Sequence, residues 1–249
     1  MADEPKYRQV ADKLKGEIAA GQPEPGKQLP GAEALAERFK TSTATAREAL
    51  KLLEREGIVE VRRSVGAFVR DRKPILRDAN ARLSKEQWGN GKAIWQVDLG
   101  DHYPVPETTV SADDADSAPS VPQFVRDAIG AERYLIRDRR YSVDGVPVQT
   151  ATSFFDASLV AGSQIERRDS GPGGVYARLA ELGHGPVAYL EQVRSRLPMD
   201  DEAKRLKITA DKPVTEIVRQ AKTADGRVVE VNVMLLVGDA YVLQYAFPS

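Results

Sequence analysis

Short hydroxyl and basic side chains recur at helical spacing between positions 42 and 51 of the sequence. A helical period of 3.6 residues places four residues opposite the apolar stripe of this segment: Thr43, Ala44, Arg47 and Lys51. Arginine and lysine bind phosphate oxygens and the acceptor edge of guanine, and threonine can hydrogen-bond to either. These residue types therefore indicate contact with nucleic acid. The alternative is an ordinary solvated helix surface, on which Arg47 pairs with Glu48 or with a neighbour of Lys51.

The residue inventory gives little support to catalytic or metal chemistry. The chain has no cysteine and only two histidines, His102 and His184, so a thiolate site or a histidine-rich metal site cannot be assembled. His184 lies in a glycine-rich turn, and no nucleophile and base can be paired around it. We therefore expect no catalytic residue, no metal and no cofactor, and an enzyme is the least favoured function class.

The length and composition fit a globular protein of two modest domains. The chain has 249 residues, of which 41% are hydrophobic and 29% are charged. No apolar run approaches the roughly 18–20 residues that span a bilayer, and the charged N-terminus has no signal-peptide core. We therefore expect a cytoplasmic protein without a membrane partner. Residues 1–72 carry 14 basic and 12 acidic residues, a slight excess that suits sequence-specific DNA binding better than a histone-like coat.

Three amphipathic segments and a hairpin pattern organise the first 70 residues. Apolar residues at steps of three and four predict helices, and Ser42 is placed to cap the third of them. The predicted elements are helices 7–20, 32–39 and 43–56 and strands 58–62 and 67–70. This order is typical of a winged helix-turn-helix domain, whose third helix enters the major groove of DNA. The alternative is a three-helix bundle with an unrelated hairpin.

Several family motifs run without a gap through residues 7–69. They are the pair Leu29-Pro30, the string S-x-x-T-x-R-E-A-L from Ser42 to Leu50, the string LEREGIVEVRR, and Gly66, Phe68 and Val69 at the end of the hairpin. In these motifs the chain resembles the DNA-binding head of the GntR family of bacterial regulators. The resemblance implies a transcription regulator that contacts DNA through its third helix and its wing. The predicted DNA-binding residues are Thr43, Ala44, Thr45, Arg47, Lys51, Arg62, Arg63, Ser64 and Gly66.

Departures from the family pattern bear on which bases are read. Thr43 stands where the family usually has an arginine, and Gly31-Ala32-Glu33 replaces a string that usually carries another. Ser64 replaces the usual glycine at the wing tip. The loss of two arginines implies either a different operator sequence or a different set of phosphate anchors. The candidate anchors are Lys27, Lys40, Lys51, Arg62 and Arg63.

The rest of the chain changes from an irregular segment to a strand-rich one. Residues 73–120 lack a clear period, and we expect a linker and the start of the next domain, with a polar loop over 107–120. From residue 121 onward, the turn pairs Asp144-Gly145 and Asp225-Gly226 predict two hairpins. The predicted strands are 134–143, 146–155, 187–197, 214–223, 228–236 and 241–247, and the predicted helices are 121–129, 175–182 and 200–206. We therefore predict a DNA-binding domain over 1–72 and an α+β domain over 121–249, whose mostly antiparallel sheet is closed by the last strand.

Strings of this C-terminal half occur in the order and spacing of a known domain. They are VDGVPVQTATSFF, GGVYARLAELG and DGRVVEVN. In them the chain resembles the UTRA domain, which accompanies the HutC-type branch of the GntR family. The resemblance implies the antiparallel-sheet α+β fold of chorismate lyase and a site for a small-molecule effector. Because no catalytic dyad or triad can be assembled, the shared fold does not indicate lyase activity.

Alternation along residues 228–236 marks one part of a candidate effector site. Val229, Val231 and Val233 point to one face of the predicted strand, and Leu235 continues that series. Glu230 and Asn232 point to the other face. Polar groups flanked by core strands suggest the wall of a pocket, and the alternative is an edge strand that faces water.

The first hairpin supplies the other candidates. The resemblance points to Arg139 as an arginine that binds anionic effectors and to Ser153 as a retained residue. Tyr141 and Ala151 replace an arginine and an acidic residue of the pattern, which implies an effector less charged than a sugar phosphate. A regular two-residue turn places Arg139 and Ser153 on opposite faces unless a bulge intervenes. The candidate effector residues are therefore Arg139, Tyr141, Ser153, Glu230 and Asn232.

A ligand-responsive repressor is the leading function hypothesis. Such a protein acts as a homodimer on a palindromic operator, because two heads related by a two-fold axis read two half-sites. Its effector acts only through different affinities for the DNA-competent and DNA-incompetent arrangements. The alternative within the same class is a constitutive regulator whose C-terminal domain only dimerises.

Overall fold

The polypeptide separates into an N-terminal unit, Met1–Lys73, and a C-terminal unit, Pro74–Ser249. The computed structural model describes residues 5–62, 64–71, 74–91, 95, 98, 106–114, 121–143 and 145–247. Within these ranges, no helix is long and apolar enough to cross a membrane.

Three helices form the body of the N-terminal unit. They are α1 (Lys6–Ala19), α2 (Ala32–Arg38) and α3 (Thr43–Arg55). The Ser42 hydroxyl accepts a hydrogen bond from the Thr45 amide at 3.1 Å, which satisfies an amide that the start of α3 would otherwise leave free. Ala46 and Ala49 are fully buried, and their small side chains let α1 and α2 pack closely on α3. The core of this unit also contains Val10, Leu14, Leu35, Leu53 and Val59.

A hairpin completes the N-terminal unit and forms its wing. Its strands are β1 (Val59–Arg62) and β2 (Gly66–Val69). The segment that precedes α2 extends this pairing. The Leu29 amide donates to the Ala67 carbonyl at 2.7 Å, and the Val69 amide donates to the Lys27 carbonyl at 2.8 Å. The unit therefore has the winged helix-turn-helix order that the sequence predicts.

A six-stranded antiparallel sheet is the frame of the C-terminal unit. The strands of this unit are β3 (Ile75–Asp78), β4 (Glu107–Asp114), β5 (Arg133–Val143), β6 (Val146–Asp156), β7 (Ala188–Arg196), β8 (Val214–Lys222), β9 (Val228–Val237) and β10 (Tyr241–Gln244). The large sheet has the order β4-β5-β6-β9-β8-β7, whereas β3 and β10 form a separate parallel pair. The helices are α4 (Ala79–Leu83), α5 (Lys85–Gly89), α6 (Gln123–Ile129), α7 (Ala157–Val160), α8 (Gly174–Glu181) and α9 (Asp200–Leu206).

The two faces of the large sheet differ in chemistry. One face is covered by α6 and α9, and apolar residues such as Phe154 and Val231 are buried there. The other face carries two apolar clusters, one that includes Phe155 and Leu179 and one that includes Met234. Between these clusters runs a set of polar side chains that we call the polar band. Its members are Arg137, Arg139, Ser153, Arg219, Glu230 and Asn232.

The prediction of a polar loop over residues 107–120 is wrong for its first part. Residues 107–114 form β4, which pairs with residues 133–140 of β5. The segment is polar because β4 is an edge strand of the sheet, where exposed positions favour hydrophilic residues. Residues 115–120 lie outside the described residues.

The prediction that residues 241–247 close the sheet is also wrong. β10 pairs with β3, with Tyr241 opposite Ile75, so β4 and β7 remain the two edges of the large sheet. The chain leaves β9 through a short 3₁₀ turn, Gly238–Ala240. A Cβ on Gly238 would lie 2.8 Å from the Pro213 carbonyl oxygen, so this redirection depends on a close backbone approach that glycine permits. The predicted α+β class is confirmed.

Candidate DNA-binding surface and effector site

The outer side of α3 presents the predicted DNA-binding residues to solvent. Ala44, Arg47 and Lys51 are exposed, and Thr43 is half-buried. Arg47 forms no ion pair with a side chain in the described part of the chain. Its alternative partner, Glu48, binds Lys51 instead, with 2.8 Å between Nζ and Oε1. The guanidinium of Arg47 is therefore free to bind a DNA phosphate or base.

Two other predicted DNA-binding residues already have partners. The Thr45 hydroxyl lies 2.8 Å from the Ser42 hydroxyl, so any contact of this hydroxyl with DNA would be shared with the helix cap. The ion pair between Lys51 and Glu48 joins exposed side chains and contributes little to stability. Lys51 can therefore exchange this partner for a phosphate at small cost.

In the wing, Arg62 is oriented by stacking on an aromatic ring. The Arg62 guanidinium lies 4.4 Å from the centre of the Phe68 ring, and its Nε lies 3.6 Å from the Glu60 carboxylate. An arginine stacked on an aromatic ring keeps its charge while losing freedom of direction. Ser64, at the tip, has a φ of 62°, in the left-handed region where the glycine usual at this position is favoured. Arg63 lies outside the described residues.

Gln28 ties the wing to the segment before α2 and is not among the predicted site residues. Its Nε2 donates to the Val65 carbonyl at 2.9 Å. A Cβ on Gly66, whose φ is 141°, would lie 2.3 Å from the same nitrogen. Gly66 therefore makes room for the contact that holds the wing. No pattern in the sequence marks Gln28, because its partner is a backbone carbonyl far along the chain.

In the C-terminal unit, a bulge brings Arg139 and Ser153 to the same face of the sheet. The register of β5 against β6 shifts by one residue between Tyr141 and Ser142. Nη2 of Arg139 donates a hydrogen bond to the Ser153 hydroxyl. A site that contains both residues requires this bulge, because a regular two-residue hairpin would place them on opposite faces. The turn residue Asp144 lies outside the described residues.

Glu230 lies at the centre of the polar band and is fully buried. One of its carboxylate oxygens accepts a hydrogen bond from the Ser153 hydroxyl at 2.6 Å, and the other accepts one from the Tyr176 hydroxyl at 2.7 Å. Burial raises the pKa of Tyr176 well above its usual value, so this hydroxyl keeps its proton and donates. Asn232 pairs with Ser153 across the strands. Because β9 is a central strand, the alternative of an edge that faces water is wrong.

Two arginines that the sequence analysis did not include also lie in the polar band. Arg137 donates to the backbone carbonyls of Ile165 at 2.5 Å and Arg168 at 2.9 Å, and so holds the loop that follows α7. Burial, helped by the neighbouring Arg139, lowers the pKa of Arg137 to about 10, and the side chain remains charged at neutral pH.

Arg219 is the second of these arginines. Its guanidinium lies 3.8 Å from a carboxylate oxygen of Glu191 and 3.8 Å from one of Glu230. Its carbon Cζ lies 5.5 Å from the centre of the Tyr176 ring. The signal that could have identified it is a single arginine in an otherwise half-apolar strand, VTEIVRQAK, since a buried arginine needs a partner.

Tyr141 lies in a different environment from the other effector candidates. It is buried and stacks on Trp95, with ring centres 4.4 Å apart, inside the apolar cluster that contains Met234. Four predicted residues therefore come together, and the fifth belongs to an aromatic wall. No group of three or more metal-ligating side chains occurs within the described residues. His102 lies outside them.

Comparison with known proteins assigns a family to each of the two units. Residues 6–69 match the model of bacterial regulatory proteins, gntR family, and residues 121–242 match that of the UTRA domain. The chain is 30% identical to an uncharacterized HTH-type transcriptional regulator of Streptomyces coelicolor, SCO4628, over 98% of its own length and 93% of that protein.

Two further similarities are more limited. Over 71 residues the chain is 38% identical to MngR of Escherichia coli, the repressor of a mannosyl-D-glycerate transport and metabolism system. The matched residues are 28% of this chain and 30% of MngR. The crystal structure of PhnF from Mycobacterium smegmatis superposes with a TM-score of 0.57 at 20% identity, over 96% of this chain and 99% of that one. At this identity the second similarity supports the fold alone.

The exposed guanidinium of Arg47 leads to a first prediction. Arg47→Ala should weaken binding to a selected operator fragment by about 1–3 kcal/mol, the range for a good arginine contact with a base or phosphate. Its melting temperature should barely change, because Arg47 has no partner among the described residues. Fluorescence anisotropy at fixed salt measures the affinity. Lys13→Ala on α1 removes the same charge from an exposed site elsewhere and should have little effect. Equal losses in both variants would exclude a specific contact.

The contact between Gly66 and Gln28 leads to a second prediction. Gly66→Ala should destabilise the protein by about 1–3 kcal/mol, the cost of a side chain in an unfavourable backbone conformation, and should also weaken DNA binding by displacing Gln28 from the wing. Thermal melting and anisotropy measure the two effects. The matched control is Gly16→Ala, where an added Cβ meets nothing within 4 Å and should slightly stabilise α1. A fully stable Gly66→Ala protein would contradict this account of the wing.

Proposed function

The chain belongs to the gntR family of bacterial regulatory proteins, and from this premise we propose that it is a repressor released from a palindromic operator by a small anionic molecule. The family consists of DNA-binding transcription regulators, and the C-terminal unit carries their UTRA effector-binding domain. The chain is therefore a regulator and not an enzyme. The proposal adds the direction of regulation, the class of effector and the assembly.

An excess of positive charge from four arginines, three of which are buried, supports an anionic effector. Four arginines on the polar-band side of the sheet face two carboxylates in the described part of the chain. The arginines are Arg77, Arg137, Arg139 and Arg219, and the carboxylates are Glu191 and Glu230. The nearby buried pair of Arg82 and Asp98, 3.4 Å apart, leaves this excess unchanged.

Buried cations are costly unless an anion compensates them. The buried Arg137 binds backbone carbonyls and the half-buried Arg139 binds a serine hydroxyl, so neither forms an ion pair with a carboxylate among the described residues. A ligand carboxylate or phosphate would supply the missing charge through charge-assisted hydrogen bonds. This proposal differs from the expectation of an effector less charged than a sugar phosphate, which followed from Tyr141 and Ala151, because Arg137 and Arg219 are buried on the same face of the sheet.

The polar band also supports a hydrogen-bond donor on the effector. Oδ1 of Asn232 is buried and has no hydrogen-bond partner among the described residues, and the carboxylate of Glu230 can accept more than the two bonds it receives. A small anion that also bears hydroxyl or amino groups would satisfy both. The effector class that we propose is therefore a hydroxylated or aminated carboxylate or phosphate ester.

Release from DNA fits the same picture. A ligand shifts a regulator between its DNA-competent and DNA-incompetent states only if it binds them with different affinities. Because the charged side chains of the site come from four strands, β5, β6, β8 and β9, a change in any of these strands would alter the affinity for the ligand. The chain is similar over 71 residues to MngR, which is a repressor, and this supports repression as the direction. A constitutive regulator would bind its operator equally well with and without every metabolite tested.

Dimerisation follows from the geometry of operators. A single recognition helix such as α3 contacts only a few base pairs, and a two-fold dimer reads two such half-sites one helical turn apart. We therefore propose that two copies of the chain bind one palindrome, with a contact between C-terminal units.

If a dimer binds a palindrome, an operator with only one intact half-site should bind much more weakly. Genomic fragments selected by the purified full-length protein supply the site. Scrambling one half-site should lower affinity by roughly 10²–10⁴-fold, because the second head then loses its effective concentration advantage. Gel-shift titration at one salt concentration measures this. A fragment with both half-sites intact and five inserted base pairs serves as control and should also bind weakly. Unchanged affinity of the half-scrambled site would contradict a dimer on a palindrome.

If the polar band binds the effector, substitutions in it should reduce effector affinity without reducing operator affinity. Arg139→Ala and Glu230→Gln should keep operator binding and lose about ten- to hundred-fold in effector affinity, as expected when a charged hydrogen bond is removed. Thermal shift with a panel of small carboxylates and phosphate esters identifies ligands of the wild type, and gel shift measures release. Glu132→Gln, at an exposed position, is the control. Normal release in both variants would remove the polar band from the site and favour a purely dimerising domain.

A further inference from the structure

Four buried side chains form a continuous series of ion pairs on the polar-band side of the sheet. In order they are Glu230, Arg219, Glu191 and Arg77, and we call them the ion-pair chain. Arg219 joins the two carboxylates at 3.8 Å from each, and Arg77 donates to Glu191 through both Nη1, at 3.1 Å, and Nη2. None of the four side chains is more than 6% exposed, so solvent and salt screen these interactions only weakly.

The two ends of the ion-pair chain lie in different parts of the fold. Glu230 belongs to the proposed effector site on β9. Arg77 belongs to β3, which is the first strand after the N-terminal unit. Only residues 70–74 separate β3 from the wing strand β2. β3 is therefore the strand of the C-terminal unit that lies nearest along the sequence to the DNA-binding unit.

Arg219 is the loosely held member of the ion-pair chain. Both of its carboxylate contacts are longer than a hydrogen bond. Its Nε and Nη1 both lack a hydrogen-bond partner among the described residues, whereas in Arg77 only Nε lacks one. Arg77, by contrast, is fixed directly on Glu191, which also accepts a hydrogen bond from the Tyr245 hydroxyl at 2.9 Å. A guanidinium held equally between two carboxylates moves toward the side where negative charge increases.

We propose that Arg219 is a positioning residue that couples occupancy of the effector site to β3. An anion bound beside Glu230 draws Arg219 toward β9 and away from Glu191. Glu191 is then compensated by Arg77 alone, and the contact between β7 and β3 changes strength. The inference rests on the proposed function, because it takes the polar band as the effector site.

Hydrogen exchange of the full-length protein, followed by mass spectrometry, tests this coupling without a ligand. Glu230→Gln removes negative charge at one end, so Arg219 should move toward Glu191 and compete with Arg77. Exchange of the amides in β3 and β10 should change by roughly three- to tenfold, as for residues in one ion-pair network. Asp138→Asn is the matched control, since it also removes a paired carboxylate, that of the Arg205 ion pair, outside the ion-pair chain. It should leave β3 unchanged.

Arg219 itself supplies the decisive comparison. In an Arg219→Met background, adding Glu230→Gln should no longer alter exchange in β3, whereas Arg219→Lys should preserve the effect. If Arg219→Met does not melt cooperatively, Arg219→Gln takes its place. Coupling is reciprocal, so Arg77→Lys should change exchange around Glu230 in β9, and this requires no substitution in the effector site. A β3 strand insensitive to Glu230→Gln, or sensitive to the same degree without Arg219, overturns the proposal.

Failure of this inference is distinguishable from failure of the proposed function. If Arg139→Ala abolishes stabilisation by the carboxylate and phosphate panel but Glu230→Gln leaves β3 unchanged, the effector site stands and the coupling is overturned. If Glu230→Gln changes β3 while Arg139→Ala has no effect on ligand stabilisation, the coupling through Arg219 stands and the assignment of Arg139 to the site is wrong.

Discussion

The carboxylate of Glu230 is removed from water, and a buried charge of this kind is tolerated only where hydrogen bonds and opposite charge replace its hydration. Its partners come from three different elements: Ser153 from β6, Tyr176 from α8 and Arg219 from β8. The elements that carry them must therefore be placed correctly at the same time. The sheet register is fixed by the bulge in the first hairpin. The position of α8 is fixed by a close approach at Gly173, where a Cβ would lie 2.4 Å from the Trp88 carbonyl oxygen. Much of the C-terminal unit is thus organised around one charge.

Whereas the buried charge of Glu230 requires internal partners, the charged groups of the N-terminal unit must remain available to DNA. A DNA-binding surface needs charged groups whose internal partners are weak or missing, so that phosphates can replace them. Arg47 meets this requirement without a partner among the described residues, and Lys51 meets it through an exposed ion pair. The rigidity that such a surface needs is provided behind it, by the buried alanines of α3 and by the Gln28 contact with the wing. The predicted DNA-binding residues and the residues that support them are therefore separate sets.

Much of the fold could be predicted from hydrophobic periodicity and turn residues. The helices of the head, the hairpins and the alternation that buries Glu230 follow from patterns within one segment. The features that could not be predicted depend on contacts between distant segments. β4 looks like a loop because its pairing with β5 cannot be read from its own residues. β10 looks like a strand of the large sheet because its parallel partner lies 166 residues earlier. The same holds for the site. Glu230 stands out within its strand, whereas Arg219 and Gln28 acquire meaning only through their partners.

The energetics of the polar band suit a switch. Moving a two-state protein from 1:99 to 99:1 requires about 5.5 kcal/mol of difference in ligand affinity. Hydrogen bonds to charged groups contribute about 1.5–3 kcal/mol each, so an anion that gains two or three such bonds in one state only supplies this difference. Arg137 is held on backbone carbonyls and gives the site a fixed positive charge, whereas Arg219 rests between two carboxylates at distances that no hydrogen bond secures. A fixed cation provides affinity in both states, and a movable one provides the difference between them. The combination of the two on one face of the sheet supports the proposed ligand-responsive regulator over a domain that only dimerises.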